Sequence, residues 1–477
     1  MRGHEASRRG LSPRWSRAWS LRLGAFWLAA MALLFTPRPA GAFVIFEDPL
    51  EEESLVLGLL VRSFAFVQAG SVLRPPYTFT DGDPTGQGIL DLRLSLEYRT
   101  SWLKVVVHDQ LTSSLVSPAQ VSAFSLGRGL EPRRIIPLDA DLVDEDGFTL
   151  RNTVDWVYVA VTLGPVTLTG GRQPVTFGRG KIWQATDLVS TFSLTEVDTE
   201  FKPGADAVRL DWTVAAGQSL TVVAALGEKI KPSLLQVPGQ ADILLGYEDD
   251  GLGVGGSALL LRYQYGWSSG EAGALAGYVR GDMVLALDVA YDAGSFDMYA
   301  EVAVTIQTDR SLGRRGPPEE DPPDAMARAV VGGTFKPHAK VTLIPEIFYN
   351  GLGSLDAEDY LRVAQSARVA VGESYSLGQI YLGATCLWEA HPLLNLAAVG
   401  ILNAADPSGL FSLAATYNLA SNVDLVGGMY LPLGRAPDVT EVPATGVPDP
   451  LTGAMPAPRS EFGLYPYFFF VELKAAM

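Results

Sequence analysis

The chain has 477 residues, of which 48% are hydrophobic, and a formal charge of -17 at pH 7. An acidic balance of this size excludes nucleic acid as a partner, because such binders present a basic face. Its one cysteine, Cys386, excludes an intramolecular disulfide framework.

The N-terminus carries Arg2, Arg8, Arg9, Arg14, Arg17 and Arg22, then the apolar run Leu23 to Phe35, then Ala40-Gly41-Ala42. A basic region, an apolar stretch too short to span a bilayer and a small-residue site read as a signal peptide over 1–42, cleaved after Ala42. The alternative reading is an N-terminal anchor helix that stays on. The segment holds seven Arg and one Glu, so its removal leaves -23 over 43–477. After it, no apolar run reaches the length of a membrane helix.

Period-2 alternation accounts for the hydrophobicity. In 89–99, Leu90, Leu92, Leu94, Leu96 and Tyr98 point one way and Asp91, Arg93, Ser95, Glu97 and Arg99 the other. The same split recurs at Val208/Leu210/Trp212 against Arg209/Asp211, and at Met298/Ala300/Val302/Val304 against Tyr299/Glu301/Thr305. Eighteen such segments run from 55–68 to 460–474. The even-numbered links between them are tight, for example Thr100-Ser101, Gly164-Pro165 and Ala293-Gly294. Most odd-numbered links are long: 69–88, 111–150, 174–203, 228–254, 308–325, 350–376 and 432–459. Loops sorted by length onto alternate ends predict an all-β fold: a transmembrane, antiparallel, up-and-down β-barrel of about 18 (16–18) strands occupying 43–477. Its short turns lie in the periplasm and its long loops outside the cell. Such a barrel belongs in the bacterial outer membrane, among its lipids and lipopolysaccharide. Tyr98, Trp102, Trp156, Tyr158, Trp212, Tyr265, Trp267, Tyr278, Tyr349, Trp388 and Tyr430 are placed to form interfacial girdles. The chain continues past its last aromatic run to Ala475-Ala476-Met477, where barrels of this kind commonly finish on an aromatic.

Little in the chain resembles catalytic chemistry. After cleavage only His108, His338 and His391 remain, none grouped at metal-ligand spacing. His108 with Ser113 and Ser114 is the single faint candidate for a surface enzyme. Acidic groups at Asp139/Asp141/Asp144/Glu145/Asp146, at Glu248/Asp249/Asp250 and at Glu319/Glu320/Asp321/Asp324 read as solvated loops, not as Ca²⁺ sites. No catalytic residue, metal or cofactor is expected.

The distinctive stretch is 170–209, GGRQPVTFGRGKIWQATDLVSTFSLTEVDTEFKPGADAVR. Some thirty residues here lose strand periodicity, yet Phe177, Trp183, Phe192 and Phe201 argue against disorder. The form GRQ…GRG..W..TDL.S.FS.TE.D.E.KPGADAVR resembles a stretch of Gram-negative outer-membrane porin-like barrels, of the alginate-export and substrate-specific porin type. The resemblance covers about forty residues, and elsewhere only the architecture matches. It implies a channel and carries no particular solute.

Facing charges in a narrow lumen select among ions and anionic solutes. The loop 174–203 is therefore expected either to fold into the lumen or to cap the barrel as an external lid. In the first case Arg172, Arg179, Lys181, Lys202 and Arg209 would form a basic side, and Asp187, Asp198 and Asp206 a facing acidic side. Arg209 and Asp211 point inward by strand parity. Arg172 falls on the lipid side unless Gly170-Gly171 makes a bulge. The function expected is passive or facilitated diffusion of small hydrophilic solutes or ions. The alternatives are an export barrel for a polysaccharide and a surface enzyme such as a lipase. A homo-oligomer is compatible, since oligomer-forming faces read like lipid-facing ones.

Overall fold

The computed structural model describes residues 43–48, 52–74, 78–116, 134–145, 147–189, 201–235, 243–308, 325–364, 366–436 and 458–477. The signal-peptide reading at 1–42 lies outside these residues, as do Asp198 and the acidic group at 319–324.

The strands in chain order are β1 (Phe43–Asp48), β2 (Glu53–Arg74), β3 (Thr78–Arg99), β4 (Leu103–Val116), β5 (Asp139–Glu145), β6 (Phe148–Leu163), β7 (Val166–Gln173) and β8 (Ala205–Ala215). They continue as β9 (Gln218–Ala225), β10 (Glu228–Leu235), β11 (Ile243–Leu252), β12 (Ala258–Trp267), β13 (Gly270–Val279), β14 (Asp282–Asp292) and β15 (Phe296–Ile306). The last are β16 (Ala325–His338), β17 (Val341–Asn350), β18 (Ile380–His391), β19 (Leu394–Asn403), β20 (Ser408–Ala420), β21 (Val423–Leu433) and β22 (Tyr467–Ala476).

Eighteen of them form one antiparallel wall, which closes where β22 pairs with β2 from Leu60↔Ala476 to Ala69↔Tyr467. Closure satisfies every edge, which a sheet in lipid requires. The other four are accessory. β5 pairs with β6 beyond the point where β7 stops, β1 pairs with β2 beyond the end of β22, and β10 and β11 make a separate hairpin.

Alternation sets the faces. On β14, Leu285 and Leu287 are 47% and 59% exposed on the outside, while Asp288 on the inside is 5% exposed. An apolar exterior of this kind is stable only against lipid, so the chain is a transmembrane β-barrel. Trp102, Trp212, Tyr265, Trp267, Tyr278, Tyr349 and Trp388 are exposed on it. Trp156 and Tyr430 are not. Trp156 stacks on His108, and Tyr430 packs against Phe468.

The structure differs from the sequence reading at several points, the β10–β11 hairpin within the 228–254 link among them. The 69–88 link is not a loop: β2 and β3 continue as a hairpin to Arg74↔Thr78. The final strand begins at Tyr467, after a short 3-10 turn at Phe462–Leu464. The inner face is not uniformly polar. On β12 to β15 it carries Leu260, Leu275, Val284, Ala286 and Ala303, all buried. A strand apolar on both faces is covered on both, and the covering element is the 175–189 part of the 174–203 loop. The chain's end is part of the wall, since the Met477 and Leu59 backbones exchange two hydrogen bonds of 2.8 Å.

Candidate functional site

The described part of the 174–203 loop, 174–189 and 201–203, leaves β7 and packs against the inward face of the barrel. Val175, Phe177, Leu188 and Val189 join the inner apolar residues of β8, β9 and β12 to β15 in one cluster. The turn between the two limbs reaches further round the wall. Trp183 lies flat on Phe348 of β17, with ring centroids 5.2 Å apart, and beside Tyr381 of β18 at 5.8 Å. Gly383 leaves room for it, because a Cβ there would come within 2.6 Å of the indole.

Wall carboxylates pin the turn by its backbone. Glu346 accepts from the N–H groups of Ile182 at 2.9 Å and Trp183 at 3.2 Å. Glu301 accepts from Gly180 N–H at 2.6 Å and from the Thr186 N–H and hydroxyl at 3.0 and 2.9 Å. Arg179 sends its guanidinium to Asp288 at 2.5 Å and to Glu271. Charge-assisted bonds to backbone donors are strong and directional, so three inward acids fix the path of the turn. Asp187 holds its base in the same way, accepting from Phe177 N–H at 2.7 Å and the Thr176 hydroxyl at 2.9 Å.

Among the described residues the predicted basic and acidic groups stand in pairs, not on two open sides. Arg172 bonds Asp206 at 2.8 Å, Lys202 pairs with Asp187, and Arg209 bonds Asp211 at 2.7 Å. A buried charge without a counter-ion is costly, and the buried members Arg172, Asp206, Lys202 and Asp187 are all paired. Arg172 is fully buried, capped by the carbonyls of Val154 at 3.0 Å and Ile136 at 2.6 Å. Gly171 beside it has φ 125°, and a Cβ there would lie 2.3 Å from the Val157 carbonyl oxygen. Lys181 differs from the rest: its side chain is exposed, borders the cavity described below and makes no ion pair among the described residues. Asp198 lies outside the described residues.

Beside the loop runs a cavity of about 1100 Å³. It is bordered by 178–185 on one side, by Ser268 to Glu271 at the short-turn end, and by Arg328 and Glu373 to Ser376 at the long-loop end. The second loop, 351–379, carries two short helices, Tyr360–Ala364 and Ala367–Ala370. Arg368 anchors it to Asp282 of the wall at 2.6 Å and to Glu373 at 2.7 Å. Burial raises the Glu373 pKa, but the guanidiniums of Arg368, Arg328 and Arg280 outweigh it and hold the group at about 2. The segment before β22 closes over both. Glu461, fully buried, accepts from Leu377 N–H at 2.9 Å, Tyr381 hydroxyl at 2.5 Å and Asn403 at 2.8 Å. Burial pushes its carboxyl up to about 7, against these bonds.

The histidine and serines singled out from sequence stand as follows. His108 is stacked on Trp156 at 4.4 Å, and Ser114 accepts from Gln87 at 2.6 Å. No group of three or more metal-ligating side chains occurs among the described residues.

The anchoring acids Asp288, Glu301 and Glu346 were not singled out from sequence as anchors. Their signal is an acid on the inner parity of its strand with an apolar inward neighbour two residues away, Ala286 before Asp288, Ala303 after Glu301 and Ile344 before Glu346.

No protein-family model matches the chain, and no curated protein does. Among solved structures the chain is similar to OccAB1 of Acinetobacter baumannii, at 12% identity over 92% of this chain and 98% of that one, with a TM-score of 0.49. It is also similar to the outer membrane protein OprD of Pseudomonas aeruginosa, at 11% identity over 92% and 95%, TM-score 0.46. A BenF-like porin of Pseudomonas fluorescens Pf-5 is similar at 10% identity over 89% and 99%, TM-score 0.46.

Proposed function

We propose that the barrel is an outer-membrane channel for passive or facilitated diffusion of small hydrophilic solutes, and that the 174–203 loop forms its constriction. An 18-strand barrel encloses more space than its own side chains fill. The observation that carries the reading is the fixing of the Arg179–Thr186 turn to inward acids of three strands, with the cavity left alongside. A lid stabilised by its own ion pairs would not need the wall. A fixed internal obstruction also suits small solutes better than an exported polymer. Lys181, Arg179 and Arg328 are cations bordering that space, and Glu271, Asp292, Asp297 and Glu373 border it too.

Conductance of refolded protein in a planar bilayer tests this. Steady channels whose conductance or ion preference changes in Arg179→Ala support it. Silence, or traces unaltered by the substitution, remove it.

A further inference from the structure

Between β17 and β21 the wall of the cavity presents one continuous row of side chains. Ladder pairing sets Ile344 beside Thr385, Thr385 beside Val399, Val399 beside Ser412 and Ser412 beside Tyr430. All five border the cavity. At about 4.8 Å between strands the row spans roughly 19 Å. In the next row towards the short turns, Leu387 is followed by Ala397, Ala414 and Gly428. Leu387 borders the cavity and is 43% exposed.

This face carries no charge along the row. By strand alternation the inward carboxylates of β17 to β21 are Glu346, which the loop backbone occupies, and Glu389 and Asp424 near the short turns. The charged groups that border the cavity belong to the two loops and to β13 to β16. Along the row, the hydroxyls of Thr385, Ser412 and Tyr430 alternate with the hydrocarbon of Ile344 and Val399. A water-filled lumen is ordinarily lined by polar groups, so an exposed leucine beside such a row is a departure. Hydroxyls donate and accept without charge. A charged group pressed against this face gives up water with no counter-ion to replace it.

We propose that this face is a binding lane for small uncharged solutes that combine a flat apolar ring with hydroxyl groups, and that Leu387 and Val399 set the preference. The inference rests on the channel reading above and names the solute class of that same passage. The ring lies against Leu387 and Val399, over the shelf left by the small Ala397 and Ala414. The solute's hydroxyls exchange hydrogen bonds with Thr385 and Ser412. A small ion shares neither set of contacts, and a solute without an apolar face shares only the second.

The test places the full-length protein in a planar bilayer and titrates its ion current with three solutes. They are phenyl β-glucoside, glucose, which lacks the ring, and phenyl β-glucuronide, which keeps the ring and adds a carboxylate. The phenyl glucoside should reduce the current saturably, at a midpoint about tenfold or more below those of the other two. In Leu387→Asn that midpoint should rise about tenfold, the order that one lost apolar contact carries. Val399→Thr, which exchanges a methyl for a hydroxyl in the same shape, should raise it by less and serves if the first variant does not fold. No reduction by the phenyl glucoside, an equally low midpoint for either comparison solute, or a midpoint unchanged in a folded variant overturns the lane. Calorimetry with the phenyl glucoside in detergent reads binding without conduction. A silent bilayer with saturable binding that Leu387→Asn weakens therefore sinks the channel reading alone, and steady conductance without binding sinks the lane alone.

Discussion

Arg179 Nε lies 2.5 Å from the Asp288 carboxylate, a bond that spans 109 residues of sequence and ties the turn of the 174–203 loop to the middle of β14. Asp288 also accepts from Arg262 at 2.9 Å, so one buried acid neutralises a loop cation and a wall cation together. Asp288→Asn leaves two guanidiniums facing each other with half their acceptor. It should cost about 3–5 kcal/mol and raise open-channel current noise, read in single-channel records.

Glu346→Gln replaces a carboxylate that accepts from several loop N–H groups by a single amide oxygen. Each charge-assisted bond lost is worth about 1.5–3 kcal/mol. The turn should loosen while the wall stays intact. Limited proteolysis of folded protein should therefore cut within 178–186 in the variant and leave the wild type whole.

Trp183→Ala removes an indole that is 5% exposed and stacked on Phe348. The expected loss is about 3–5 kcal/mol, with a larger conductance from the vacated space. Thermal unfolding and bilayer recordings on the same preparation check both halves.

The pH dependence of the loop closure follows from Glu461. Its carboxyl is raised by burial from 4.5 to about 7, so folding favours the protonated form. The contribution is fully present below pH 4.5, falls as pH rises towards 7 and is gone above it. A loss on the order of 3 kcal/mol across that window is expected. Glu461→Gln should flatten it, as seen in melting temperatures at pH 4.5 and pH 8.

Gly171→Ala combines an unfavourable φ with a Cβ 2.3 Å from a backbone oxygen that cannot move aside. It should destabilise by more than about 1 kcal/mol and displace Arg172 from its carbonyl cage. A reduced yield of heat-modifiable folded monomer on gels is the readout.

The wall was legible because period-2 alternation is local: β14 and β15 declare both faces in eleven residues each. Loop length on alternate ends then gave strand order. The 69–88 hairpin was hidden by Pro75-Pro76 and Asp81-Gly82-Asp83-Pro84, which read as turn residues although β2 and β3 pair alongside them. The 170–209 stretch was visible as a structured loop from its aromatics and glycines. Its charge pairing was not, because Arg179 meets Asp288 and Glu271 only through closure of the barrel. Arg172 and Asp206 are ladder partners across β7 and β8, and strand register could have paired them. Alternation at Ala258 to Leu261, apolar on both parities, was the available sign that something covers the inner face.

The most direct test uses the exposed Lys181. With Cys386→Ser removing the native thiol, Lys181→Cys is placed in a planar bilayer and treated with a charged, membrane-impermeant thiosulfonate. A channel narrowed by the 174–203 loop predicts steady conductance that falls in discrete steps as single channels are modified. Conductance that ignores the reagent, in protein shown by mass to be labelled, would contradict it.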